Sequence, residues 1–142
     1  YGLQVRVKWP NDLLYRGKKV AGILCEYLKG HLLVGVGVNV ANEVPEGATA
    51  FRGLDPEGVS TLVLAGVQRG LELLGSDLDL PTAFAPYDAL FGRIIEVTVG
   101  GVLQRGVGAG LNARGCLVLE GPECPGGRLE LCGEARSALR VL

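Results

Sequence analysis

The sequence predicts an α+β fold in two parts, and three observations carry that prediction. Apolar residues alternate over residues 3–40, interrupted only by short turn signals. One long segment, residues 56–75, has apolar residues at helical spacing. After residue 92 the chain breaks into five short β-rich runs. The bulk numbers agree with a globular chain: 142 residues, 48% hydrophobic and 20% charged, are enough to bury a core. The net charge of −1 gives no basic field for broad nucleic-acid binding. Apolar runs such as "LLVGVGV" fall far short of the roughly 20 residues of a membrane helix. No basic segment followed by an apolar stretch opens the chain, so a cytoplasmic location is expected. The chain has no Met at all, and it reads as a piece of something longer.

The elements follow in order. "LQVRVK" (3–8) alternates as a strand, and "WPND" is a turn, because Pro10 fixes φ while Asn11 and Asp12 favour local side-chain bonds to the backbone. "LLY", "RGKK" and "VAGILCEYL" read as a hairpin with Gly17 in its turn. "KGH" is a second turn, and "LLVGVGVNV" (32–40) a long third strand. The result is an antiparallel meander whose surface Gly22, Gly35 and Gly37 thin. Residues 41–55 read as loop. The helix then starts with Asp55 as N-cap and Pro56 in its first turn, and stops at Gly75. A shorter helix is expected around "PTAFAPYDALF", limited by Pro86. The composition shift at Gly92 places a domain boundary there, giving parts 1–92 and 93–142. Five short strands in the second part suggest a small, SH3-like β-barrel.

The four cysteines, Cys25, Cys116, Cys124 and Cys132, form no C-x-x-C pair, and His31 is remote from them, so the spacing argues against zinc. Cys25 and Cys132 lie in apolar runs and are expected as buried thiols. Cys116 and Cys124 flank a turn-rich segment that allows them to approach each other, although reduced thiols are the default without an export signal.

Several residues invite chemistry, and each has a plainer reading. "GVGVNV" (35–40) lacks the third glycine and the following helix of a dinucleotide fingerprint. Its glycines still leave a flat strand face where a planar ligand lies easily, or simply allow a neighbour to pack closely. Asn39 offers a donor and an acceptor suited to a nucleobase edge, but strand-end capping is the commoner use of such an Asn. Lys19 is well placed as a point charge for phosphate, whereas "KK" at a turn is usually just solvated. Asp12, across the hairpin, either holds Lys19 or helps bind a metal on a triphosphate. Trp9 stacks on something flat or sits in the core. His31 reads as surface. Neither a Ser/His/Asp set nor a phosphate-cradling G-x-x-x-x-G-K-[ST] loop occurs.

"KWPNDLLYRGKKVAGILCE" followed by "LLVGVGVNV" closely resembles the biotin protein ligases, which attach biotin to carboxylase carrier domains. K-W-P-N-D, then the basic turn leading to K-V-A-G-I-L-x-E, then V-G-V-G-V-N occur in the family's order and spacing. The resemblance covers essentially the whole chain, with "CGEARSALRVL" similar to the family's SH3-like tail. It implies the C-terminal part of a catalytic domain with a mixed sheet like that of class II aminoacyl-tRNA synthetases. It implies two steps: biotin and ATP, carrying Mg, give biotinyl-5′-AMP, and the biotinyl group then passes to a lysine of a biotin carboxyl carrier protein domain.

By the resemblance, Lys19 contacts the reacting carboxylate and phosphate, and Asp12 is the acidic residue beside it. Asn39 lies near the adenine. Leu24 and Gly35 line the biotin pocket, and Gly22 and Gly37 are expected among the cofactor-binding residues. Arg136 or Arg140 corresponds to a tail arginine that reaches the nucleotide. No protein metal site is implied.

The family's glycine- and arginine-rich loop and the first half of the biotin pocket precede K-W-P-N-D and are not in these residues. The winged-helix domain of the repressor-type members is not in them either, so DNA binding is not expected of this chain. The expectation is therefore a C-terminal half that does not make biotinyl-5′-AMP alone. Two alternatives stand beside it: a non-catalytic segment that self-associates as a homodimer through an exposed sheet, and a relative of the lipoate ligases, which share the fold.

Overall fold

The structure is a computed structural model that describes residues 2–133 and 139–142. It is an α+β protein with two antiparallel sheets and few helices. The chain divides into two compact units, residues 1–78 and 79–142.

In the first unit, β1 (Val5–Lys8), β2 (Asp12–Tyr15), β3 (Lys18–Leu28) and β4 (His31–Val38) form a four-stranded meander in that order. Two tight turns connect its longer strands. Arg16 and Gly17 have φ of 51° and 78°, and Lys29 and Gly30 have 50° and 82°. Two consecutive positive φ angles match the right-handed twist of a hairpin, and glycine at the second position removes half of the steric cost. Trp9 precedes a cis peptide to Pro10 and is buried.

The helix α1 (Pro56–Leu74) begins as the sequence predicts: Gly58 N–H donates to the Asp55 carboxylate at 2.7 Å, and Pro56 occupies the first turn. Val59, Leu62 and Val63 of α1 face Val20, Ala21 and Val38 of the sheet across an apolar cavity of about 210 Å³. The meander thus has one face turned to α1 and one turned away.

In the second unit, α2 (Leu80–Phe84) and a single 3₁₀ turn (Ala85–Tyr87) replace the one short helix expected, because Pro86 cannot continue α-helical bonding. β5 (Ile94–Val99), β6 (Val102–Leu111), β7 (Leu117–Glu120), β8 (Arg128–Leu131) and β9 (Arg140–Val141) follow, in the order β8-β7-β6-β5-β9. All five expected strands are present, as an open sheet among the described residues. Ile95, Val97, Leu117 and Leu119 are fully buried and form its core with Leu90. Gly108 lies against the Leu90 carbonyl, where a Cβ would collide with it. The segment 80–91 therefore clusters with this sheet, ahead of the composition shift at residue 92.

The cysteines correct the sequence reading. Cys116 is disulfide-bonded to Cys132 and not to Cys124, and Cys25 is exposed rather than buried. The reason is hairpin geometry: a hairpin joins residues equidistant from its tip. The register Leu117↔Leu131 puts residues 116 and 132 opposite one another, and Cys124 falls at the midpoint between them. Cys124 is instead a buried thiol whose Sγ lies 3.4 Å from the Arg105 carbonyl. Burial, and secondarily the nearby Glu123 charge, raise its pKa.

Candidate active site

Asp12 and Lys19 meet on the face of the meander turned away from α1. Their ammonium and carboxylate are 2.6 Å apart. A regular hairpin would not place them together. Asp12 pairs with Gly22 and Leu13 with Ala21, yet Leu14 pairs with Lys19, so Val20 is an extra residue in β3. Side chains alternate with a period of two, and one inserted residue moves everything before it to the opposite face. The bulge therefore brings Lys19 to the face of Asp12, Leu14 and Gly22. Val20, at 0% exposure, goes into the core beside Ala21. Two successive apolar residues after "KK" were the sequence signal for this bulge, and alternation alone passed over it.

The floor next to the pair is bare backbone. Gly22 faces Gly37 across β3 and β4, and Leu24 faces Gly35 one step further along the same face. A Cβ at Gly22 would lie 3.7 Å from the Lys19 Nζ, while a Cβ at Gly37 would meet open space. Leu24 is half exposed. The face thus runs from a cation, over two glycines, to an apolar side chain. That order suits a ligand with an anionic end and a flat or apolar body. The apolar cavity lies on the other face of the sheet and belongs to the core.

The Asn39 amide is engaged at the end of its strand. Its Nδ2 donates to the Thr49 carbonyl at 3.2 Å, and its Oδ1 accepts from Asn42 at 3.1 Å. Its own N–H bonds the Val20 carbonyl and its carbonyl receives Phe51 N–H, both at 2.9 Å. Thr49 N–H donates to the Lys19 carbonyl at 2.8 Å, beside a bridge between Lys19 and Ala48. Residues 48–51 thus tie Lys19 and Asn39 to one strip of backbone. Loop composition gave no signal for this role. Asn39 retains one N–H and one lone pair for a ligand.

Lys18 and Arg16 are exposed, with Arg16 lying over the Tyr15 ring, and they act as turn residues. His31 is exposed at the second turn. Arg140 lies in β9 opposite Glu96, and Arg136 lies outside the described residues. No three His, Cys, Asp or Glu side chains converge among the described residues. Asp12 already faces an ammonium, so the donor set does not fit a protein-held Mg ion. No helix among the described residues is long and apolar enough to cross a membrane.

Residues 1–41 match the Biotin/lipoate A/B protein ligase family, and this segment contains Asp12, Lys19 and the glycine floor. The relatives that the chain is similar to are biotin protein ligases. The Paracoccus denitrificans biotin–[acetyl-CoA-carboxylase] ligase is 31% identical over 139 residues, covering 84% of this chain and 58% of the relative. The Escherichia coli bifunctional ligase/repressor BirA is 27% identical, covering 82% of this chain and 42% of the relative. A biotin protein ligase from Aquifex aeolicus, solved in complex with biotin and ATP, superposes with a TM-score of 0.80 at 26% identity. That match covers 97% of this chain and 62% of the Aquifex chain. The chain thus spans less than two thirds of these relatives.

Proposed function

We propose that these residues form part of a biotin protein ligase that joins biotin and ATP into biotinyl-5′-AMP and passes the biotinyl group to a carrier-domain lysine. The observation that carries this reading is the Lys19–Asp12 pair at the end of a glycine floor, in a chain similar to a ligase solved with biotin and ATP. Biotin lies along Gly22, Gly37, Gly35 and Leu24, with its carboxylate at Lys19. A carboxylate oxygen attacks the α-phosphorus, and pyrophosphate leaves. The Lys19 ammonium stabilises the negative charge that builds on the phosphoryl oxygens. Asp12 is a positioning residue that fixes the ammonium from the side away from the ligand. In the second step the carrier lysine amine attacks the acyl carbon and AMP leaves, with Lys19 neutralising the departing phosphate. Asn39 holds the 48–51 strip and offers its remaining N–H and lone pair to the adenine. Any Mg travels on the triphosphate, and no step is assigned to it.

In this reading residues 1–92 are the C-terminal part of a catalytic domain like that of class II aminoacyl-tRNA synthetases, and residues 93–142 an SH3-like domain, in a cytoplasmic enzyme. Biotin-dependent exchange of labelled pyrophosphate into ATP, by the natural gene product carrying these residues, tests it. Exchange with biotin and none with lipoate is expected. Exchange driven by lipoate instead would move the site to the lipoate branch of the family.

A specific observation also favours self-association. On the far end of the β3–β4 hairpin, Tyr27 (77%) and Leu28 (57%) are largely exposed, and β4 is a sheet edge. An apolar strand edge pairs readily with a second copy. The homodimer is tested by sedimentation, where a monomer across micromolar concentrations rules it out.

A further inference from the structure

We propose that the Cys116–Cys132 bond is a redox-sensitive latch on the outer edge of the second sheet, opened by small thiols through attack at Cys132. Three observations support it. Among the described residues β8 is an edge strand, paired with β7. Cys116 and Cys132 sit just outside the last ladder pair, Leu117↔Leu131, with Cα atoms 4.4 Å apart, so the bond closes the open end of the hairpin. The two residues differ in exposure: Cys116 is 4% exposed, whereas Cys132 is exposed.

Attack on a disulfide goes to the sulfur that a thiolate can reach. A small thiolate bonds to the Cys132 sulfur, the bond to Cys116 breaks, and its electron pair leaves on the Cys116 sulfur, which takes a proton from water. The second thiolate of a dithiol then attacks the dithiol-derived sulfur of the mixed disulfide. Cys132 leaves as a thiol and the dithiol becomes a cyclic disulfide.

Opening is local. Cys116 stays held by Asn112, whose Oδ1 accepts its N–H at 3.0 Å and whose N–H donates to its carbonyl at 3.0 Å. β8 stays clasped through Glu130, which accepts from Asn112 at 2.9 Å and Arg114 at 2.8 Å. The end released is Cys132 at the edge of β8.

The test uses the full chain, purified without reductant, carrying Cys25→Ser to remove the exposed thiol on β3. Under denaturing conditions one thiol is expected to titrate, rising to three after a dithiol. Brief exposure of the native oxidised protein to glutathione should give an adduct that mass spectrometry maps to Cys132. In single variants, Cys132 left by Cys116→Ser should alkylate at least about tenfold faster than Cys116 left by Cys132→Ser, because only the former is open to reagent. Three thiols in the oxidised protein, a bond involving Cys124, an adduct on Cys116, or equal alkylation rates would each overturn the latch.

Discussion

At the scale of single residues, the proposed reaction makes the pair of Lys19 and Asp12 a place where catalysis and stability would separate. Lys19 is about half exposed and Asp12 about a quarter. Ion pairs that remain in contact with water contribute at most about 1 kcal/mol to folding. Lys19→Ala should therefore leave the melting temperature within a few degrees, yet lower biotin-dependent exchange by about 100- to 1,000-fold, the usual cost of one lost donor to a developing anion. A stable Lys19→Ala protein with full exchange would remove Lys19 from the reaction. Asp12→Asn should fold equally well and lose less, with the loss in kcat rather than KM, because Asp12 acts through the ammonium. Gly22→Ala meets ordinary contact distances at the Lys19 Nζ rather than a clash. It should fold and bind biotin more weakly, as titration calorimetry would show, because the methyl stands on the ligand floor.

At the scale of elements, the helix start and the β7–β8 hairpin are the most predictable. The Asp55 carboxylate satisfies one of the four N–H groups left open at the start of α1. Asp55→Ala should cost about 1 kcal/mol, read as a lower melting temperature, and Asp55→Ser should restore most of it. In the hairpin, hydrogen bonds from the Arg114 side chain, and secondarily from Arg128, hold the Glu130 carboxyl below its ordinary pKa. A depressed folded-state pKa means stability that is present above the unfolded value and lost as pH falls through the folded one. The melting temperature of Glu130→Gln should thus fall below that of the parent at neutral pH and converge with it in acid. A gap that persists unchanged at the lowest pH would show that the clasp does not act through charge.

These elements also show what a linear reading can reach. The N-cap, the glycine turns and the five strands of the second unit were legible because each is set by neighbours within a few residues. The bulge at Val20 left only a faint mark, the two successive apolar residues after "KK", because it depends on which residue of β2 each residue of β3 opposes. The disulfide partner was missed for the same reason. Cys116 and Cys124 are nearer in sequence, but pairing across a hairpin is decided by the position of its tip.

At the scale of the whole molecule, net charge is −1, so little long-range repulsion opposes association. Tyr27 and Leu32 face each other across the exposed hairpin. Sedimentation should show a concentration-dependent dimer, and Tyr27→Asp with Leu32→Asp should shift it to monomer without loss of secondary structure. By itself the sequence determined the fold class, the order of elements and the likeness to biotin protein ligases, because periodicity, turn residues and the K-W-P-N-D and G-V-G-V-N motifs are local patterns. Only the tertiary structure decided which face Lys19 occupies, that residues 48–51 tie Lys19 to Asn39, and which cysteines meet. Each of these depends on register between strands, and register is a property of paired chains that no single stretch of sequence contains.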